Sequence, residues 1–179
     1  MNRVVHPIEQ QSYEILRTRF DTSALPPCTK AVVERVIHAS ADLGYLDDLV
    51  CTETDLAAGA QALRDGAPVV ADSAMTAAGI TGHEVVCRID DRRAAALARV
   101  VGITRAAAGI RVAGADLLLR GPAPALVIGL PVGFVGAVEA KQALRDSGLP
   151  ALTNRSEKGG AAVAAAALNA LLYLEEPSR

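Results

Sequence analysis

Among the three histidines of this 179-residue chain, His38 has the setting that suits proton chemistry. It follows directly on Val32, Val33, Val36 and Ile37, the apolar stripe of an expected helix, so a side chain that titrates near neutral pH borders an apolar surface. The same spacing fits a structural histidine satisfied inside a core, and spacing alone leaves both readings open. His6 and His83 fall in terminal or loop sequence. A second candidate is Leu130-Pro131-Val132-Gly133-Phe134-Val135-Gly136, placed where a strand should give way to a helix. Open α/β sheets bind ligands at such carboxyl ends, and glycines let backbone amides come close to acidic groups. The loop matches neither G-x-G-x-x-G nor a Walker pattern, and turning a corner is its plain alternative role. Glu157-Lys158-Gly159-Gly160 offers a cation and backbone amides at a helix start, suited to carboxylate capture; a solvated surface loop is the competing reading. Thr104-Arg105 reads as a helix cap with a surface arginine, or as a second polar contact for a ligand.

These residues need elements to hold them. Pro7 suits the first turn of a helix running to about Phe20, with a mixed face of Ile8, Ser12, Ile15 and Arg19. After Leu25-Pro26-Pro27 a second helix should reach about Ala41. Short β-like runs then alternate with Ala-rich helical stretches. Strands are expected at Leu49 to Thr52, Pro68 to Ala71, Val85 to Ile89, Ala125 to Gly129 and near Leu152. Helices are expected at Asp55 to Arg64, Arg92 to Val101, Thr104 to Leu118, up to about Ser147 with Gly148 as the stop signal, and from about Gly159 to Leu174. The expected fold is α/β: one domain over residues 1–179, with an open, mostly parallel sheet of about five strands flanked by helices.

Composition narrows the function. A chain of this length can bury roughly 70% of its unfolded surface. The hydrophobic fraction is 51% with 3% aromatics and no Trp, so the core is built from small aliphatic side chains. A net charge of −2 provides no basic field for nucleic acid, which is not expected as a partner. Cys28, Cys51 and Cys87 are odd in number and widely spaced, so we expect buried thiols in a reducing cytoplasm, with neither a disulfide framework nor a zinc site. The opening MNRVVHPIEQQSYEILR lacks the apolar core of a signal peptide, and Ala161 to Leu174 is too short to span a membrane; neither export nor membrane association is expected.

In order along the chain, these blocks resemble the precorrin-8X methylmutase family. The similarity runs through Ser12-Tyr13-Glu14-Ile15-Leu16-Arg17, Arg35-Val36-Ile37-His38-Ala39, Gly66-Ala67-Pro68-Val69 with Asp72 and Met75, and Glu84-Val85-Val86-Cys87. It continues through Gly102-Ile103-Thr104-Arg105, then Gly129 to Gly136 with Glu139 and Lys141, and Lys158-Gly159-Gly160 ahead of Ala165 to Asn169. The Pro131 to Gly136 block is the most specific, and coverage is nearly end to end.

The resemblance implies an isomerase of corrin biosynthesis that moves a methyl group from C-11 to C-12 of a tetrapyrrole substrate, precorrin-8X or its cobalt form. It implies His38 as the acid–base residue, no cofactor and no metal site. It further implies substrate contacts at Ser12, Arg17, Met75, Thr104, Arg105, Gly133 and Phe134, with Lys158 and Gly159 as further contributors, and a homodimer with the site near the subunit interface. Two departures from the family stand out. Ala106 replaces a serine, and 109–124 lacks room for a strand, a Gly-Asn-Ala-Pro-Thr loop and a helix that members carry there. The shortened stretch keeps a non-catalytic tetrapyrrole-binding relative as one alternative; an unrelated α/β phosphate- or nucleotide-binding protein is another.

Overall fold

A computed structural model describes residues 6–87 and 124–174. Along the chain the elements are α1 (Pro7–Arg19), α2 (Pro27–Ser40), α3 (Tyr45–Asp48), β1 (Leu49–Val50), α4 (Glu53–Arg64), β2 (Val69–Ala71), α5 (Ala74–Gly79) and β3 (Val85–Cys87). They continue as β4 (Val127–Gly129), α6 (Ala137–Asp146), β5 (Ala151–Asn154) and α7 (Ala161–Leu172). The helices expected at 92–101 and 104–118 lie outside the described residues. So do Thr104, Arg105 and most of the shortened stretch.

The expected α/β class holds, but the expected sheet needs revision. Among the described residues the strands form two sheets. One has the order β1-β5-β4, and the other pairs β2 with β3. β4 runs parallel to β5 and β2 parallel to β3, whereas β1 is antiparallel to β5. The reason is local. β1 starts immediately after α3, and Asp48 at that junction accepts hydrogen bonds from the Arg155 and Ser156 amides just past the end of β5. Leu49 is thereby set opposite Asn154, and the two strands must run head to tail. The short helices α3 and α5 were not legible as periodic segments, since each is too brief to repeat an apolar pattern.

The core is centred on α7. Val163 through Leu171 are all buried, the pattern of a helix that must be enclosed on every side. It packs against α2, α4, α5 and β4. Small side chains allow close approach: a Cβ at Gly79 of α5 would lie 2.8 Å from the Ala165 Cβ. Val32, Val33, Val36 and Ile37 of α2 join this core as their spacing predicts. The one polar side chain buried within α7, Asn169, donates to the Gly79 carbonyl at 2.8 Å and accepts from the Thr81 amide at 3.1 Å. It thus satisfies backbone groups at the end of α5.

Cys28 is buried but Cys51 and Cys87 are only half-buried, which corrects the expectation of three buried thiols; all three are free. Burial pushes the Cys28 and Cys51 thiols up to about 11, so neither is an activated thiolate. Among the described residues no helix is long and apolar enough to cross a membrane.

α2 starts without a cap of its own, because Pro26 has no side-chain acceptor. Glu53, the first residue of α4, supplies one: its carboxylate accepts from the Cys28 and Thr29 amides at 2.9 Å each and from the Thr29 hydroxyl at 2.8 Å. Burial works to raise the Glu53 pKa, and these hydrogen bonds outweigh it, leaving the carboxyl below its ordinary value. A carboxylate whose pKa is lowered by folding stabilises above the unfolded carboxylate pKa, and that contribution disappears as pH falls through the lowered value. Glu53→Gln should therefore cost about 1 kcal/mol at neutral pH. In denaturant titrations the gap to the parent protein should close as pH is taken down through the carboxylate range.

Candidate active site

Helices α1 and α2 meet along a row of polar contacts that ends at His38. Ser12 Oγ lies 2.7 Å from His38 Nδ1. The Tyr13 ring stacks on the imidazole, with centroids 5.0 Å apart and planes inclined by 17°. Arg35, one turn before His38, donates to the Tyr13 hydroxyl at 3.2 Å and forms an ion pair with Glu9. Further along, Arg17 donates to both carboxylate oxygens of Glu34, at 2.9 and 3.4 Å, and its guanidinium lies 5.7 Å from the centre of the Tyr13 ring. Thr22 donates to the same carboxylate at 2.5 Å. Burial works to raise the pKa of Glu34, yet the Arg17 and Thr22 hydrogen bonds hold it below the ordinary value, so the buried carboxylate stays charged.

The three histidines now separate. His6 caps α1 by accepting from the Ile8 amide at 3.2 Å, and the half-buried His83 bonds the neighbouring Glu84 carbonyl. His38 sits in the last turn of α2, a turn later than mid-helix, and its ring is held by residues of another helix on one face and one edge. A hydroxyl at Nδ1 either donates or accepts, so Ser12 can partner the neutral and the protonated imidazole alike.

A second group of candidates gathers at the start of α7. The Gly160 amide donates to the Leu130 carbonyl at 2.7 Å, and the Gly133 amide to the Glu157 carbonyl at 3.0 Å, which zips the Pro131 to Gly136 loop to the segment before α7. Gly159 is required there: its φ is +147°, and a Cβ would lie 2.3 Å from the Leu130 carbonyl oxygen and 2.7 Å from that of Pro131. Two of the amides that the sequence offers for carboxylate capture are thus used inside the fold, Gly160 on the Leu130 carbonyl and Lys158 on Ser156 Oγ. Phe134 is instead turned outward at 93% exposure, alongside Val132 and Val135. The Lys158 ammonium pairs with Asp42 at 2.7 Å, over the Tyr45 ring, and Asp42 stands two residues past the end of α2. That ion pair brings the second group to the His38 end of α2. Met75, near the start of α5, is 73% exposed.

Three polar residues hold this loop; the sequence reading named Lys141 only within the family-like block and did not name Asp48 or Asn154. Lys141 of α6 is fully buried and donates to the carbonyls of Ser156 and Lys158 at 2.6 Å each; burial pushes its amine down to about 8. Asn154 Nδ2 donates to Asp48 at 2.7 Å and to the Lys158 carbonyl at 3.0 Å. Asp48 also accepts from the Ser156 hydroxyl at 2.6 Å. A signal for Lys141 was present: Ala137, Ala140, Lys141 and Leu144 share one helical face, and that face is inward.

The sequence and the architecture match known proteins. The family model for precorrin-8X methylmutase matches residues 7–121 and 115–174. The cobalt-precorrin-8 methylmutase of Salmonella typhimurium is 37% identical over 93% of this chain and 93% of its own length. The chain belongs to the precorrin-8X methylmutase family. The precorrin-8X methylmutase of a Sinorhizobium species is 34% identical over 92% of each chain. A crystal structure of precorrin-8X methylmutase from Thermus thermophilus superimposes with a TM-score of 0.82, at 30% identity, over 93% of this chain and 94% of that one. Membership of the methylmutase family makes the chain an isomerase, an intramolecular transferase with a role in cobalamin biosynthesis, and removes the unrelated nucleotide-binding reading. The alignment with the Salmonella relative spans 196 positions, more than the 179 residues here, so that methylmutase has positions this chain lacks. The two family-model stretches overlap at 115–121, within the part of the sequence that reads as shortened.

Two substitutions test the loop support. Gly159→Ala pushes a methyl group into two carbonyl oxygens and should lower the melting temperature by several degrees, about 1–3 kcal/mol. Lys141→Met takes the ammonium donor from the Ser156 and Lys158 carbonyls, leaving them only the Asn154 amide, and should cost about 2 kcal/mol in denaturant unfolding.

Proposed function

We propose that this chain moves the C-11 methyl group of precorrin-8X, or of cobalt-precorrin-8, to C-12 and gives hydrogenobyrinate or cobyrinate, with His38 as the acid–base residue. The observation that carries the reading is the Ser12 Oγ to His38 Nδ1 contact at 2.7 Å beneath a stacked tyrosine, in a member of this family. With Nδ1 engaged by Ser12, the exchanged proton is the one on Nε2. His38 lends a proton to the conjugated ring. The bond from C-11 to the methyl carbon breaks as the bond to C-12 forms, and the proton is taken back. Substrate and product are isomers, so nothing else is consumed. Holding the ring in one orientation beside the imidazole supplies the positioning that such a shift needs.

The ring's acetate and propionate groups need cationic and hydroxyl partners. Arg17 is 55% exposed and uses only part of its donor set on Glu34, while Lys158, 40% exposed, could exchange Asp42 for a substrate carboxylate. Phe134 and Met75 give exposed apolar contact for the macrocycle. By resemblance Ser12, Gly133, Gly159, Thr104 and Arg105 complete the lining. We further propose one domain over residues 1–179, working as a homodimer. Exposed Val132, Phe134 and Val135 fit a surface that a second subunit covers, and a shared site would compensate for the shortened 109–124 stretch. That stretch is also the observation favouring a second reading, a relative that binds the tetrapyrrole without turning it over.

Purified protein incubated with precorrin-8X, or its cobalt form, should convert the visible spectrum to that of the hydrogenobyrinate-type chromophore. A ligand-bound spectrum with no conversion selects the binding relative. His38→Ala should still bind the ring yet lose at least about a hundredfold in conversion rate; a fully active variant would overturn the assignment of His38.

A further inference from the structure

We propose that Tyr13 is a positioning residue for this reaction: its ring, clamped by Arg35 and Glu9, sets the plane in which His38 presents its imidazole. The proposal rests on the acid–base reading of His38.

Among the contacts on the imidazole, two act as separate constraints. The Tyr13 ring covers one face, nearly parallel at 17° and 5.0 Å between centroids, and this limits tilting of the plane. A face contact tolerates a half-turn of the imidazole about its Cβ–Cγ bond, which would exchange Nδ1 with Cδ2. The Ser12 hydroxyl at 2.7 Å rejects that half-turn, because only a nitrogen satisfies it. Ser12 selects the orientation and Tyr13 the plane, and together they decide where Nε2 points.

Tyr13 can do this only if its own ring is fixed. Glu9 and Tyr13 stand one turn apart on α1, and Arg35 and His38 stand three residues apart on α2, so all four lie along the seam between the helices. Arg35 Nη1 reaches both the Glu9 carboxylate and the Tyr13 hydroxyl. The side chains of Arg35 and Glu9 are 16% and 12% exposed, so the clamp is shielded from solvent. Serial contacts therefore run Glu9, Arg35, Tyr13, His38. The electron-rich face of the phenol also suits an imidazolium, so the stack persists when His38 carries its proton.

The test uses the full chain with ¹⁵N-labelled histidine. In the ligand-free protein the ring protons of His38 should be shifted upfield by the Tyr13 ring current. Tyr13→Leu should move them toward the positions of His6 and His83 and lower kcat by about tenfold to a hundredfold, as expected for a displaced catalytic group. KM should stay within about threefold, because substrate binding is not what is lost. Tyr13→Phe, which restores the ring without its hydroxyl, should recover the upfield shift and most of the lost kcat. Arg35→Gln, measured beside it, should move the His38 resonances part of the way by loosening the clamp, and it provides the readout if Tyr13→Leu fails to fold. His38 resonances that do not move in Tyr13→Leu or Arg35→Gln overturn the proposal, as does a Tyr13→Leu defect confined to KM. An active His38→Ala variant would instead remove the acid–base reading, and the resonances would still decide on positioning by themselves.

Discussion

A helix that is apolar on every side has to be enclosed, and α7 imposes that requirement on everything around it. Its run of alanines leaves α2, α4 and α5 lying close, and the Gly79 contact with Ala165 shows how little room remains. The packing fixes α2 along its length, and with it the place of His38 in the last turn of α2. It also fixes where the chain enters α7, so the segment carrying Lys158 and Gly159 arrives at the same end of α2, where Lys158 meets Asp42.

Enclosing α7 creates a polar problem at its entry. The segment from Asn154 to Gly160 is partly buried, and those of its carbonyls and amides that are shielded from water need partners. Lys141, Asp48 and Asn154 supply them from three different elements, and Gly160 and Gly133 then tie in the Pro131 to Gly136 loop. A buried lysine is costly, and its amine is pushed down accordingly, but two carbonyl acceptors at 2.6 Å offset that cost. The outward set of Phe134 follows from this arrangement. With the loop backbone bonded inward, its apolar side chains are left facing solvent, where a flat conjugated ligand or a second subunit could cover them.

The setting of His38 depends on a different device, the pairing of α1 with α2. α1 buries only Leu16 among its residues, so apolar packing does little to fix it. Its position relies on charge-assisted contacts, the shielded pair of Glu9 with Arg35 and that of the half-exposed Arg17 with the buried Glu34. These contacts place Ser12 and Tyr13 against His38. The groups that hold the helix and the groups that hold the imidazole are therefore neighbours on one seam.

Much of this could be read from the residues. The apolar stripe of α2, the strands at Val69–Ala71, Val127–Gly129 and Ala151–Asn154, and the all-apolar final helix follow from periodicity, which reports local burial. The ordered blocks from Ser12 to Asn169 identified the family, because residue identities at many separated places cannot match by composition alone. Sequence could not separate His38 from a structural histidine, nor show that the Gly133 and Gly160 amides are spent within the fold. It also missed the antiparallel turn of β1, the burial and partners of Lys141 and the clamp on Tyr13. Each of these depends on which distant segment comes alongside: Asp48 on Arg155 and Ser156, Lys141 on Ser156 and Lys158, Arg35 on Glu9 and Tyr13. Periodicity records that a residue faces inward, but the partner it finds there is decided only when the helices and strands pack together.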